Sequence, residues 1–106
     1  MSKFMRLIVF FDLPVKKKEE QRVATQFRNA LIKDGYTMLQ YSVYLRLCNG
    51  IESAYMHVDR LKSFAPNTGA IRCMVVTEKQ FASMFIISGK KKKEEKPAKY
   101  IQLSFL

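Results

Sequence analysis

Tryptophan is absent from the 106 residues, histidine occurs once and cysteine twice. His57, Cys48 and Cys73 cannot supply the four ligands of a self-contained zinc site, and the cysteines form no CxxC pair. Buried, reduced thiols are the expected state of both cysteines. Glycine is sparse, and Gly35, Gly50, Gly69 and Gly89 make no phosphate-cradling loop. Ser42 and Ser53 lack the G-x-S-x-G setting of a nucleophile. His57 has no acid–nucleophile pair beside it and is expected on the solvent side of its helix. Long apolar runs are missing too. The longest, Leu7–Phe11, falls far short of the ~20 residues of a membrane span, so no membrane partner is expected. The run ends in Asp12 without a small-residue cleavage site, so the expected location is cytoplasmic.

Acidic residues are the other shortage: 9 Asp+Glu face 19 Lys+Arg, a formal net charge of +10. With 48% hydrophobic and 12% aromatic residues the chain is no disordered basic tail. Its length suits one domain with one core. The charge is therefore displayed on a folded body, and it favours a polyanionic partner.

Hydrophobic patterning gives the elements. Met5–Leu13 reads as a central strand apolar on both faces and stopped by Pro14. Lys16–Asp34 reads as a helix with Val23, Phe27, Ala30 and Leu31 on one face and Gly35 as its C-cap. Thr37–Cys48 alternates as one strand, with Leu39, Tyr41, Val43, Leu45 and Leu47 opposite Gln40, Ser42, Tyr44 and Arg46. Ile51–Phe64 is a second helix with Ile51, Ala54, Tyr55, Val58 and Leu61 inward. Ala70–Thr77 is a strand, Glu78–Ser83 a connector with one helical turn, and Met84–Ile87 a further strand.

The fold class this implies is α+β, a ferredoxin-like βαββαβ antiparallel sheet with both helices on one face. Residues 1–88 form that domain, and 89–106 add the charged loop Lys90–Pro97 and a last strand, Lys99–Leu106, on this sheet or a partner's. The second face of the sheet carries Ile8 and Phe10 beside Gln40, Ser42 and Tyr44. A half-apolar open face is expected to be covered, and a second copy would give a symmetric homodimer.

Asp12 ends the apolar strand, and a carboxylate so placed needs a cation, a metal or capped amides. It either caps the following helix, pairs with an arginine, or serves as a Mg²⁺ ligand, since Mg²⁺ takes one or two protein carboxylates. Two copies of Asp12 across a two-fold axis could share one ion. The basic residues gather as Lys16, Lys17, Lys18 with Arg22, and as Lys90, Lys91, Lys92, Lys93 with Lys96 and Lys99. The first group opens a helix, where phosphate is also attracted by free N–H groups. No base-reading motif accompanies them, so sequence-independent backbone contact is expected.

Met5–Pro14 (MRLIVFFDLP) resembles the first-strand signature of the small CRISPR adaptation proteins, Cas subunit two. Phe27-Arg28 and Gly35–Tyr44 are similar to that family's first-helix end and second strand. Val76–Phe81 is similar to a segment of members from type II systems. The resemblance covers residues 5 to about 87, with Phe11 where many members carry Tyr. It implies a ferredoxin-like homodimer that bridges two dimers of the integrase, Cas subunit one. That assembly holds a short double-stranded DNA and inserts it into the CRISPR array, a step of antiviral defence. The family is also described as a Mg²⁺-dependent endonuclease on RNA or DNA, which would make Asp12 both metal ligand and catalytic residue. A stand-alone nuclease is thus the alternative function, and a ligand-sensing module a third.

Overall fold

The computed structural model describes residues 3–90 and 93–96. Aromatic and β-branched residues extend the backbone over β1 (Met5–Asp12), and Pro14, without an N–H, ends the ladder. β1 is followed by α1 (Lys18–Lys33), β2 (Thr37–Gln40), β3 (Val43–Cys48), α2 (Ile51–Phe64), β4 (Ala70–Thr77) and the single turn α3 (Glu78–Ala82). The sheet order is β2-β3-β1-β4, antiparallel throughout, which is the ferredoxin-like plan. β1 is hydrogen-bonded on both sides, to β3 and to β4.

α1 starts with Glu19 and Glu20 against its positive end, and the Glu20 carboxylate accepts from the Lys17 N–H at 2.9 Å. It ends at Gly35, whose φ of 92° lets the Tyr36 N–H reach back to the Leu31 carbonyl at 3.0 Å. Ala24, Phe27 and Leu31 of α1 and Ala54 and Leu61 of α2 pack on Leu7, Val9 and Phe11. Phe27 meets Phe11 edge-on, 5.1 Å between ring centroids. Both long helices therefore cover one face of the sheet, as expected.

Two elements differ from the sequence reading. Thr37–Cys48 is a hairpin rather than one strand, turned at Tyr41-Ser42 with Ser42 in the left-handed region (φ 64°) and a register shift between Met38 and Gln40. Leu39, Val43 and Leu45 share one face as the alternation predicts, but it is the open face and not the helix-covered one. Tyr44, expected on the open face, lies opposite Val9 and is 3% exposed in the helix-covered core. Val43 and Leu45 point the other way, beside Ile8. Met84–Ile87 forms no strand, and the βαββαβ order is completed by the hairpin instead. The last strand expected at Lys99–Leu106 lies outside the described residues.

The phase of α2 differs too. Tyr55 and Ile51 are exposed, and His57 takes the inward place at 6% exposure. Its Nδ1 lies 3.1 Å from Asp34 Oδ2, and Arg60 donates to Asp34 Oδ1 at 2.7 Å. Burial works against the Asp34 carboxylate, but bonds from His57 and Arg60 outweigh it and hold its pKa below the ordinary carboxylate value. A lowered folded-state pKa stabilises above the unfolded value and is lost as pH falls through the folded one. Unfolding free energy is therefore expected to drop below about pH 4, with Asp34→Asn flattening that acid limb in urea titrations. An unchanged acid limb would count against this pairing.

Gly69 (φ 67°) passes so close to the end of β1 that a Cβ there would stand 2.4 Å from the Asp12 carbonyl. Gly69→Ala is expected to cost about 2 kcal/mol, roughly 10 °C in the melting temperature. An unshifted melt would contradict the close approach.

Candidate functional site at the open sheet face

The face away from α1 and α2 is only partly covered. Phe81 of α3 packs on Ile8, Leu45 and Val76. Arg6, 1% exposed, places its guanidinium between the Glu78 carboxylate and the Phe81 ring, 4.7 Å from the ring centroid. Its Nη2 donates to Glu78 Oε2 at 3.2 Å and to the Lys96 carbonyl at 2.8 Å. The buried cation thus ties β1, α3 and the segment after the short 3-10 turn Lys93–Glu95 together.

Between those anchors the chain runs along β2. Residues 84–90 and Glu95 line a cavity of 580 Å³ with Met38, Leu39, Gln40 and Tyr41. Phe85 and Ile87 stand 88% and 92% exposed there. Among the described residues nothing covers the corner nearest the end of β1: exposure rises from 5% at Ile8 to 39% at Phe10.

Asp12 lies in that corner. It is exposed, and its carboxylate has no hydrogen-bond or ion-pair partner among the described residues. The N-cap of α1 is Lys17, so Asp12 does not cap that helix. It lines a hollow of 210 Å³ with Phe10, Phe11, Ala70 and Arg72. An uncommitted, acceptor-only carboxylate suits one of the one or two positions that Mg²⁺ asks of a protein. Among the described residues no group of three or more His, Cys, Asp or Glu could hold a metal ion.

The basic residues are less uniform than their sequence runs suggest. Lys16, Lys17 and Lys18 are exposed ahead of α1. Arg22 is already engaged: its Nε donates to Glu19 Oε2 at 3.1 Å and its Nη2 to Oε1. That bond lowers the Glu19 pKa and raises that of Arg22. Lys90, on the wall of the 580 Å³ cavity, and Lys93 are exposed, while Lys91 and Lys92 lie outside the described residues. Of the residues expected on the open face, Ile8 is covered by α3, Phe10 and Gln40 are exposed and Ser42 is half-buried in the hairpin turn.

Sequence reasoning passed over Arg72. It is exposed on β4, in register with Phe10, and has no ion-pair partner among the described residues. The available signal was the alternation of Ala70, Arg72 and Met74 against Ile71, Cys73 and Val75, which puts one cation on the face of Asp12.

The fold and this corner define a class: a ferredoxin-like βαββαβ domain, strongly basic, with an uncommitted carboxylate where its central strand ends. Comparison with known families narrows it further. The family described as CRISPR associated protein Cas2 matches residues 5–84, and the chain belongs to that family of CRISPR defence. Three relatives carry the name CRISPR-associated endoribonuclease Cas2. The protein of Campylobacter jejuni is 48% identical over 88 residues, 83% of this chain and 62% of that protein. The protein of Acidovorax ebreus is 46% identical over 94% of this chain and 98% of its own length. That of Flavobacterium psychrophilum is 40% identical over 92% of this chain and 85% of its own. Among the described residues no helix is long and apolar enough to cross a membrane.

Replacing Arg6 removes the cation that is ion-paired with Glu78, 16% exposed. Arg6→Met is expected to destabilise by about 3 kcal/mol, and Arg6→Met combined with Glu78→Leu to recover most of it. Equal losses in the single and double variants, read by urea unfolding, would contradict the pairing.

Proposed function

We propose that this chain is the spacer-acquisition subunit of its CRISPR system, a homodimer that bridges integrase dimers (Cas subunit one) and clamps incoming double-stranded DNA by its backbone. The observation that carries this reading is the uncovered corner of the open face. In a chain of the Cas2 family with a net charge of +10, Phe10 and Asp12 stand exposed at the end of the central strand. A second copy laid on Phe10, Gln40 and Ser42 removes apolar surface from water. It also brings the two Asp12 carboxylates towards each other, where one Mg²⁺ would be shared. Lys16, Lys17, Lys18 and the Lys90–Lys93 run are then doubled on one assembly and supply non-specific phosphate contacts. The role in insertion is architectural, and the transesterification belongs to the integrase.

A second reading has its own support. The relatives are named endoribonucleases, and an uncommitted Asp12 is what a metal-dependent hydrolase would need. When bound, Mg²⁺ would supply an activated water and charge neutralisation. Asp12 would hold the ion and the neighbouring cations the phosphodiester.

One set of variants separates the two. Asp12→Ala is expected to leave spacer insertion intact and to abolish any Mg²⁺-dependent cleavage of RNA or DNA. Reversing Lys16, Lys17 and Lys18 to Glu is expected to weaken duplex binding at least tenfold and to lower insertion with it. Arg22→Gln changes little, because Glu19 already neutralises that cation. Binding that ignores salt, or insertion unaffected by the triple reversal, would overturn the clamp.

A further inference from the structure

The geometry points to Arg72 as a phosphate-binding residue that works with Asp12 on one phosphodiester group. Asp12 pairs in register with Ala70, and Phe10 with Arg72, so Asp12 and Arg72 are diagonal neighbours on the same face of β1 and β4. Diagonal neighbours in an antiparallel pair stand about 7–8 Å apart at the backbone. Opposite charges at that spacing could close on each other. Here they do not, and neither has an ion-pair partner among the described residues. Both line the same 210 Å³ hollow, with Phe10 as its exposed apolar wall.

The hollow opens broadly to solvent, so a backbone phosphate reaches both side chains from the surface. A guanidinium binds two phosphate oxygens through its planar fork, which an ammonium cannot do. The carboxylate opposite repels a bare phosphate, so the pair favours a phosphate that arrives with a divalent cation. This combination selects a backbone phosphate of a nucleic acid and holds it beside Asp12. The inference rests on the proposed reading of the open face as nucleic-acid-binding, and it adds a binding residue to it.

The test is fluorescence anisotropy with a short double-stranded DNA and a single-stranded RNA, in Mg²⁺, across a salt series. Arg72→Gln is expected to weaken binding about tenfold and to reduce the slope of log affinity against log salt by about one phosphate contact. Arg72→Lys restores part of the affinity. Light scattering should show the molar mass of both variants unchanged. If the unsubstituted protein binds and Arg72→Gln binds equally well with an unchanged slope, the assignment is overturned. A variant that falls to half the native molar mass also overturns it, since Arg72 then pairs with the partner's Asp12 instead of a phosphate. If the unsubstituted protein binds neither nucleic acid, the functional reading fails and this inference with it.

Discussion

β1 is hydrogen-bonded on both edges and covered on both faces from Arg6 to Val9, and the placement of every other element refers to it. Leu7, Val9 and Phe11 seat α1 and α2, while Arg6 and Ile8 seat α3 on the other side. Among the described residues, cover on the second face stops at Ile8 and leaves Phe10 and Asp12 exposed before the strand ends. A lone carboxylate at the position of Ile8 would be buried at a cost of several kcal/mol unless paired. At Asp12 it meets solvent, and the same strand that organises the core delivers an acid to the surface in a fixed geometry. Gly69, just ahead of β4, packs closely against this end of the strand.

The distribution of the few acids matters as much as the excess of bases. Glu78 is spent on Arg6, Asp34 on His57 and Arg60, and Glu19 on Arg22. Lys16–Lys18 and Lys90 stand exposed outside these pairs. The buried pair of Arg6 and Glu78 differs from the exposed pair of Glu19 and Arg22 in its consequence. An exposed i,i+3 pair contributes little stability and chiefly removes a cation from the surface. The buried one fixes where α3 and the chain at Lys96 cross the sheet, because a cation there has no solvent to fall back on.

Much of the fold was legible in the residues. β1, α2 and β4 follow from runs and periodicity, and α2 and β4 begin and end where the patterning places them. The hairpin was hidden because Tyr41-Ser42 carries no Asn-Gly or Asp-Gly signal, although Ser42 takes the left-handed conformation. The alternation groups Leu39, Val43 and Leu45 on one face opposite Tyr44, but it does not say which face meets the helices; pairing of Tyr44 with Val9 sends it to the core beside Phe11, 5.6 Å between rings. Met84–Ile87 has strand-like composition, but a strand needs an edge to join, and composition does not name one. His57 looked solvent-facing because an apolar stripe through Tyr55 and Val58 fits the same helix, and only its bond to Asp34 tells the two phases apart. Asp12 was legible because a strand boundary was. Arg72 was not, since a single arginine in a strand acquires meaning only when the register sets it beside Asp12.

The central claim is that two copies meet at the corner formed by Phe10 and Asp12. Treating Asp12→Cys with a short thiol-reactive cross-linker tests it most directly, with the unsubstituted protein as control for the native Cys48 and Cys73. The account predicts a covalent species of twice 12.4 kDa that forms at low micromolar protein and only in the variant. A variant that stays at single-chain mass while the native protein is dimeric by light scattering would contradict it, because the two copies would then meet elsewhere.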